Sequence, residues 1–193
     1  KLMAEEALRL DSEGYNVYFA CASFLNESYL DTKGKRRQRT AENAEETGSF
    51  WLDIDCGDRK DYVTREEAIS AVEKFCSACA LPEPLLVNSG GGLHAYWLLN
   101  TVVPKAEWVL VAEKLKRLTH NHELRLYADD TRTADISSVL RPIGTHNWKP
   151  KYDKPLVVMI RDAEPVEFEH FASKIDAAIS NYPTLKSTTL APT

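Results

Sequence analysis

The sequence has no apolar run long enough to span a membrane and no signal-peptide pattern at its start. A membrane role is therefore excluded from the expectations, and a cytoplasmic protein is expected. It has no internal repeat and no low-complexity segment, which removes solenoids and arrays. Cysteines are few: Cys21, Cys56, Cys76 and Cys79. Cys76 and Cys79 have the CxxC spacing, but no second CxxC or HxxxH pair exists to complete a zinc site. They sit in a helical pattern and read as core cysteines of a reduced protein, with no zinc expected. Excess positive charge is also missing. The net charge is −5 and the pI about 5.6, which argues against a general polyanion binder.

What is present fits an ordinary globular chain: 193 residues, 44% hydrophobic and 27% charged. That length supports one domain with a real core, expected over residues 1–182. Residue 1 is Lys rather than Met, and the end, SNYPTLKSTTLAPT, is small, polar and broken by proline. Residues 183–193 are expected to be a linker or tail leading to a further region of a larger protein.

The coarse pattern alternates helices and strands. A short helix is expected over 2–11 and a strand over 15–22. Residues 26–48 read as a long polar loop, and 50–55 as a strand. Thr64-Arg-Glu-Glu67 is a capping box opening a helix to about residue 80. Its apolar residues Ala68, Ile69, Val72, Phe75, Cys76 and Cys79 fall at helical spacing. Strands over 85–87 and 94–99 flank a glycine turn, which predicts a hairpin and argues against a purely parallel sheet. A helix follows Pro104 to about Thr119. A strand is expected over 155–160 and an amphipathic helix over 164–181. The fold class is α+β with an antiparallel or mixed sheet.

Three stretches carry chemistry. In SFWLDIDCG, Asp53 and Asp55 are two apart on a strand and so share one face. Two close carboxylates repel unless a cation lies between them, and hard oxygen ligands suit Mg²⁺ or Mn²⁺. In SGGGLH, Gly90, Gly91 and Gly92 permit close backbone approach to an anion. Ser89 adds a hydroxyl, and His94 begins the strand beyond. In DISSVLRPIGTHNWK, Asp135 supplies a further acid and Arg141, Asn147 and Lys149 supply phosphate-facing groups. A fourth feature is the run Lys33-Gly-Lys35-Arg36-Arg37-Gln-Arg39, a solvated loop or an arm for a phosphate backbone.

In this order, LDID, SGGGLH and DISSVLRPIGTHNWK resemble the three signature motifs of archaeo-eukaryotic primase superfamily polymerases. The similarity is to the primase-polymerase domains of phage and plasmid replication proteins, and it spans about residues 50–150. It implies an RNA-recognition-like antiparallel sheet bearing the acids, joined to an N-terminal α/β unit. It implies a template-dependent nucleotidyltransferase, a DNA primase or polymerase acting in replication. Asp53, Asp55 and Asp135 would hold two divalent ions, with Asp130 the alternative third acid. His94, Ser89 and Gly90 to Gly92 would face the incoming nucleotide's phosphates, with Arg141, Asn147 and Lys149 downstream. A DNA template and primer, a dNTP or NTP, and a fused or associated helicase are the implied partners. The sequence has Arg-Pro-Ile-Gly-Thr where many relatives have Arg-x-Pro-Gly-Thr, and it has no primase-type zinc module. Two other readings stand beside this one. A replication-initiator nuclease would need paired metal-binding histidines and a tyrosine nucleophile, and the only close pair is His120 and His122. A non-catalytic nucleic-acid-binding module would not need the acids.

Overall fold

The acids lie on one of the two longest strands, and the architecture is built around those strands. The computed structural model describes residues 2–183. Strand β4 (Glu46–Asp55) pairs with β6 (Gly92–Pro104), β6 with β5 (Leu85–Asn88), and β5 with β8 (Val158–Arg161). This four-stranded sheet, in the order β4-β6-β5-β8, is antiparallel throughout. Two small ladders accompany it. Strand β1 (Phe19–Ala20) pairs with β7 (Val139–Leu140), and β2 (Tyr29–Leu30) pairs with β3 (Arg36–Arg37). The helices are α1 (Leu2–Ser12), α2 (Arg65–Cys79), α3 (Lys105–Thr119), α4 (Asp130–Thr133) and α5 (Phe168–Asn181).

Helix α5 packs on α2 and on α3, and all three pack on the main sheet. Alternation along β4 sends Phe50, Leu52 and Ile54 into that core, all fully buried. Phe50 stacks on Phe171 of α5 at 4.7 Å and on Trp108 of α3 at 5.6 Å. Trp108 also stacks on Trp51 at 4.9 Å and donates its indole N–H to the Ser49 carbonyl. Aromatic packing of this kind fixes β4 against α3 and so fixes where Asp53 and Asp55 stand.

Helix α2 starts where the capping box places it. Thr64 Oγ1 accepts from the Glu67 backbone N–H, and the Glu67 carboxylate accepts from the backbone N–H groups of Thr64 and Val63. We expect Thr64→Ala to cost about 1 kcal/mol, read as a lowered denaturation midpoint without a changed slope. Cys76 and Cys79 lie on the buried face of this helix, and burial pushes both thiols up to about 12.

Several boundaries differ from the sequence expectation. The strand expected over 15–22 shrinks to β1, because its partner β7 offers only two residues. The loop expected over 26–48 contains the β2–β3 hairpin, a 3₁₀ turn at Ala41–Asn43 and the start of β4. The last helix begins at Phe168 rather than 164, because Val166 is held extended by a bridge to Leu99. The strand expected from 155 begins at Val158, after an isolated bridge between Leu156 and His146. The N-terminal α/β part joins the remainder through β1 and β7. Of the expected tail, residues 184–193 lie outside the described residues. Among the described residues no helix is long and apolar enough to cross a membrane.

Candidate active site

The β4–β6 register sets Asp53 opposite His94 and Asp55 opposite Gly92. Both acids project toward the side of the sheet that bears His94. The loop before β6, strand β7 and the segment after it close around them. The result is a cavity of roughly 190 Å³ whose lining includes Asp53, Asp55, Ser89, Gly91, His94 and Arg132. Tyr18, Arg141, Asn147, Lys149 and Tyr152 complete its polar wall.

The electrostatics are strained at one end and compensated at the other. Burial raises the Asp53 carboxyl to about 6, with the charges of Asp55 and Asp129 adding to the effect and Arg132 and Lys149 opposing it. His94 is almost wholly buried. Its Nε2 lies 3.6 Å from Asp53 Oδ1, and its Nδ1 is 3.1 Å from the Tyr96 hydroxyl. Burial, and then the charge of Arg141, lowers its pKa to about 4, so the ring is neutral at pH 7. Arg141 is buried as well. One terminal nitrogen donates to the Tyr18 hydroxyl at 2.7 Å, and its guanidinium lies over the Tyr18 ring at 4.6 Å. Among the described residues, the other terminal nitrogen is buried with no partner. An orphaned guanidinium N–H in a cavity wall is a vacant anion contact.

Asp55 stands further out, and its Oδ2 is 2.5 Å from Lys60 Nζ. Lys60 belongs to the loop after β4, a cation already in place at the outer acid. The donor chemistry of the pair fits a hard divalent ion: two carboxylates on one strand face, the inner one disfavoured as an anion. Among the described residues, no three His, Cys, Asp or Glu side chains gather closely enough to form a protein-only cage. Mg²⁺ typically takes one or two carboxylates and completes its shell with substrate phosphates and water, so a two-acid platform suits it.

Not every residue singled out in the sequence reaches this cavity. Gly90 and Gly92 lie behind its lining. Gly92 is glycine for a different reason: a Cβ there would fall 2.1 Å from the Ile54 carbonyl oxygen. Asp135 is not among the lining residues, and its carboxylate accepts from the Ser137 backbone N–H and hydroxyl. Lys33, Lys35, Arg36, Arg37 and Arg39 lie on or beside the β2–β3 hairpin and line no part of it. There Arg37 pairs with Asp31 at 2.9 Å and Arg36 donates to Ser28. His120 ends α3 and faces Asp130 at 3.8 Å, apart from the acid pair.

The structure adds residues that the sequence did not single out. Asp129 donates its backbone N–H to the Asp53 carbonyl at 2.7 Å, which brings its charge beside the pair. Its carboxylate caps α4 through the Thr131 N–H and hydroxyl and lies 3.7 Å from Arg132. The D-x-T capping pattern in YADDTRTAD was the available signal. Tyr18 and Tyr152 carried none.

The fold so described is the archaeo-eukaryotic primase fold, which agrees with the resemblance carried by the three motifs. The AEP domain of the primase-polymerase of cyanophage S-2L superposes with a TM-score of 0.60 at 16% identity, over 93% of this chain and 76% of that one. The primase RepB′ superposes with a TM-score of 0.53 at 16% identity, over 93% of this chain and 49% of that one. A curated replication protein of Clostridium perfringens is 26% identical over 145 residues, 74% of this chain. This chain spans only 32% of the length of that relative. No family model matches the sequence.

Proposed function

We propose that this chain is the catalytic domain of a template-dependent nucleotidyltransferase, a primase or polymerase of the phage and plasmid replication type. One observation carries the reading. Asp53, destabilised by burial, and Asp55 beside it share a cavity with a neutral histidine, a buried arginine with a free N–H, and the cations Arg132 and Lys149. That is a site with one end for metal and the other for phosphate.

Asp53 and Asp55 would hold Mg²⁺ or Mn²⁺ as a two-acid platform, with the charge of Asp129 adding to the negative potential at Asp53. When bound, the ions would lower the pKa of a primer 3′-hydroxyl and offset charge on the leaving pyrophosphate. The remaining work belongs to the chain. Arg141, Lys149 and Arg132 neutralise the triphosphate and orient it. A Tyr96 hydroxyl donating to His94 Nδ1 would leave the His94 proton on Nε2, a neutral donor for a phosphate oxygen. Beyond Arg141 an apolar groove lined by Phe19, Leu85, Val87, Tyr96 and Leu98 offers a surface for bases rather than phosphates. The exposed hairpin cations suit a template or primer backbone, a salt-sensitive contact. A cytoplasmic replication role and a helicase partner follow from the same reading.

The test compares template-primer binding with primer extension on the same samples of wild type and Asp55→Ala. The reading expects extension lost and DNA binding retained. Equal extension by both proteins would overturn it. A second expectation concerns Lys60, which competes with the ion for Asp55. Lys60→Ala should lower the Mg²⁺ concentration for half-maximal binding, measured by titration calorimetry, by about two- to fivefold, the scale of an exposed ion pair.

A further inference from the structure

The last turn of helix α1 carries an acid where helix electrostatics disfavour one, because the C-terminal end carries partial negative charge. That acid, Asp11, is also buried. It is held by three donors from a segment 135 and more residues away in sequence. Oδ1 accepts from the His146 backbone N–H at 2.7 Å and from the Trp148 indole N–H at 2.8 Å. Oδ2 lies 2.7 Å from His146 Nδ1. Burial acts to raise this carboxyl, and the hydrogen bonds from His146 and Trp148 outweigh it, leaving it below the usual carboxylate range.

The partners are every second residue of an extended stretch. Residues 144–147 pair with 155–157: Gly144 N–H donates to the Val157 carbonyl, Val157 N–H to Thr145, and Asn147 N–H to Pro155. In extended chain, side chains alternate in direction. With His146 and Trp148 turned to Asp11, Asn147 and Lys149 turn into the cavity, where both are lining residues. Asn147 reaches the Ser89 carbonyl at 3.4 Å, and its Oδ1 accepts the Lys149 backbone N–H at 3.2 Å. The carboxylate of α1 thereby fixes the direction of two residues on the opposite side of the strand.

We propose that Asp11 is a positioning residue for the triphosphate site. It sets Asn147 and Lys149 by holding His146 and Trp148 from behind, and the proposal rests on the nucleotidyltransferase reading above. Asp11 touches no substrate. Its effect is preorganisation of groups that do.

The experiment measures binding of a dNTP and of inorganic triphosphate in Mg²⁺ buffer, beside template-primer binding, for wild type, Asp11→Ala, Asp11→Asn and Trp148→Phe. Amide exchange over 145–149 is followed without ligand. In D11A the exchange should rise and triphosphate binding should weaken by about tenfold, the lower end of what losing a supporting partner costs a ligating group. Template-primer binding should hold. Asn retains the Oδ1 acceptor, so D11N should restore binding to within about threefold of wild type. W148F removes one bond, keeps an aromatic ring, and should weaken triphosphate binding about two- to threefold. It supplies the answer if D11A fails to melt cooperatively. Faster exchange with undiminished triphosphate binding, in D11A or in W148F, would show a structural staple and overturn the proposal alone. A wild type that binds no triphosphate would instead bring down the reading of the site itself.

Discussion

Asp53→Asn should lose nucleotidyl transfer and gain stability. The rate loss should be on the order of 10³ or more, the scale seen when a group that stabilises transition-state charge is removed. The stability gain follows from the sign of the Asp53 displacement. Its carboxyl is raised to about 6 in the fold, from an ordinary value of 3.8. The folded state therefore holds the proton more tightly than the unfolded chain. Stability contributed by the protonated group is present below about pH 4 and is lost as pH rises through about 6. At pH 7.5 the fold carries the cost of an ionised carboxylate beside Asp55 and Asp129. A displacement of that size corresponds to about 3 kcal/mol if fully felt. The side chain is 26% exposed, and solvent screening brings the expectation to about 1–2 kcal/mol. In EDTA at pH 7.5 the Asn variant should melt above wild type, and at pH 4 the gap should close. A variant that melts lower at pH 7.5 would mean the acid is not under strain. Function placed at a destabilised spot has this signature.

Gly92→Ala should damage both activity and stability. Gly92 pairs with Asp55 across β4 and β6. A methyl group there would lie 2.1 Å from the Ile54 carbonyl oxygen and 3.1 Å from Asp55 Cα. Those are backbone atoms and cannot rotate away, so β6 must move off β4 where β4 carries the acids. Overpacking of this kind costs about 1–3 kcal/mol. A displacement near 1 Å of reacting groups costs about 10²-fold in rate. Gly48→Ala, on the partner strand β4, is the control, since its nearest neighbour would be the Val102 side chain at 3.8 Å. It should change stability by no more than about 0.5 kcal/mol. Equal behaviour of the two variants, in melting temperature and in rate, would contradict the argument.

Local patterns were legible in the sequence, and distant pairings were not. The α2 capping box, the β5–β6 hairpin and the alternation of FWLDID are written within a few residues each. They put the acids on one strand face and His94 on the neighbouring strand. Strand β1 was overextended because its length is decided by β7, about 120 residues on. Nothing local marks Asp11, and only the fold brings it to His146 and Trp148. Gly90 to Gly92 read as one phosphate loop, yet each has its own reason. Gly90 has a positive φ of 78° and no room beside Pro155 and Asn147, Gly91 lies under the Tyr152 hydroxyl, and Gly92 abuts β4. Asp129 was hidden among the competing acids of YADDTRTAD, and only the fold brings its backbone N–H to the Asp53 carbonyl. The basic run looked like one patch, whereas Asp31 and Ser28 engage two of its arginines within the hairpin itself.

The most direct test of the account is pyrophosphate release measured alongside single-nucleotide primer extension. The protein is mixed with a labelled primer on a longer template, one complementary nucleoside triphosphate, and Mg²⁺ or Mn²⁺. The account predicts one pyrophosphate released for each nucleotide added to the primer 3′ end. It predicts that both signals vanish in EDTA and in the Asp53→Ala, Asp55→Ala double variant. A folded protein that binds the template-primer and releases no pyrophosphate with either metal would contradict it.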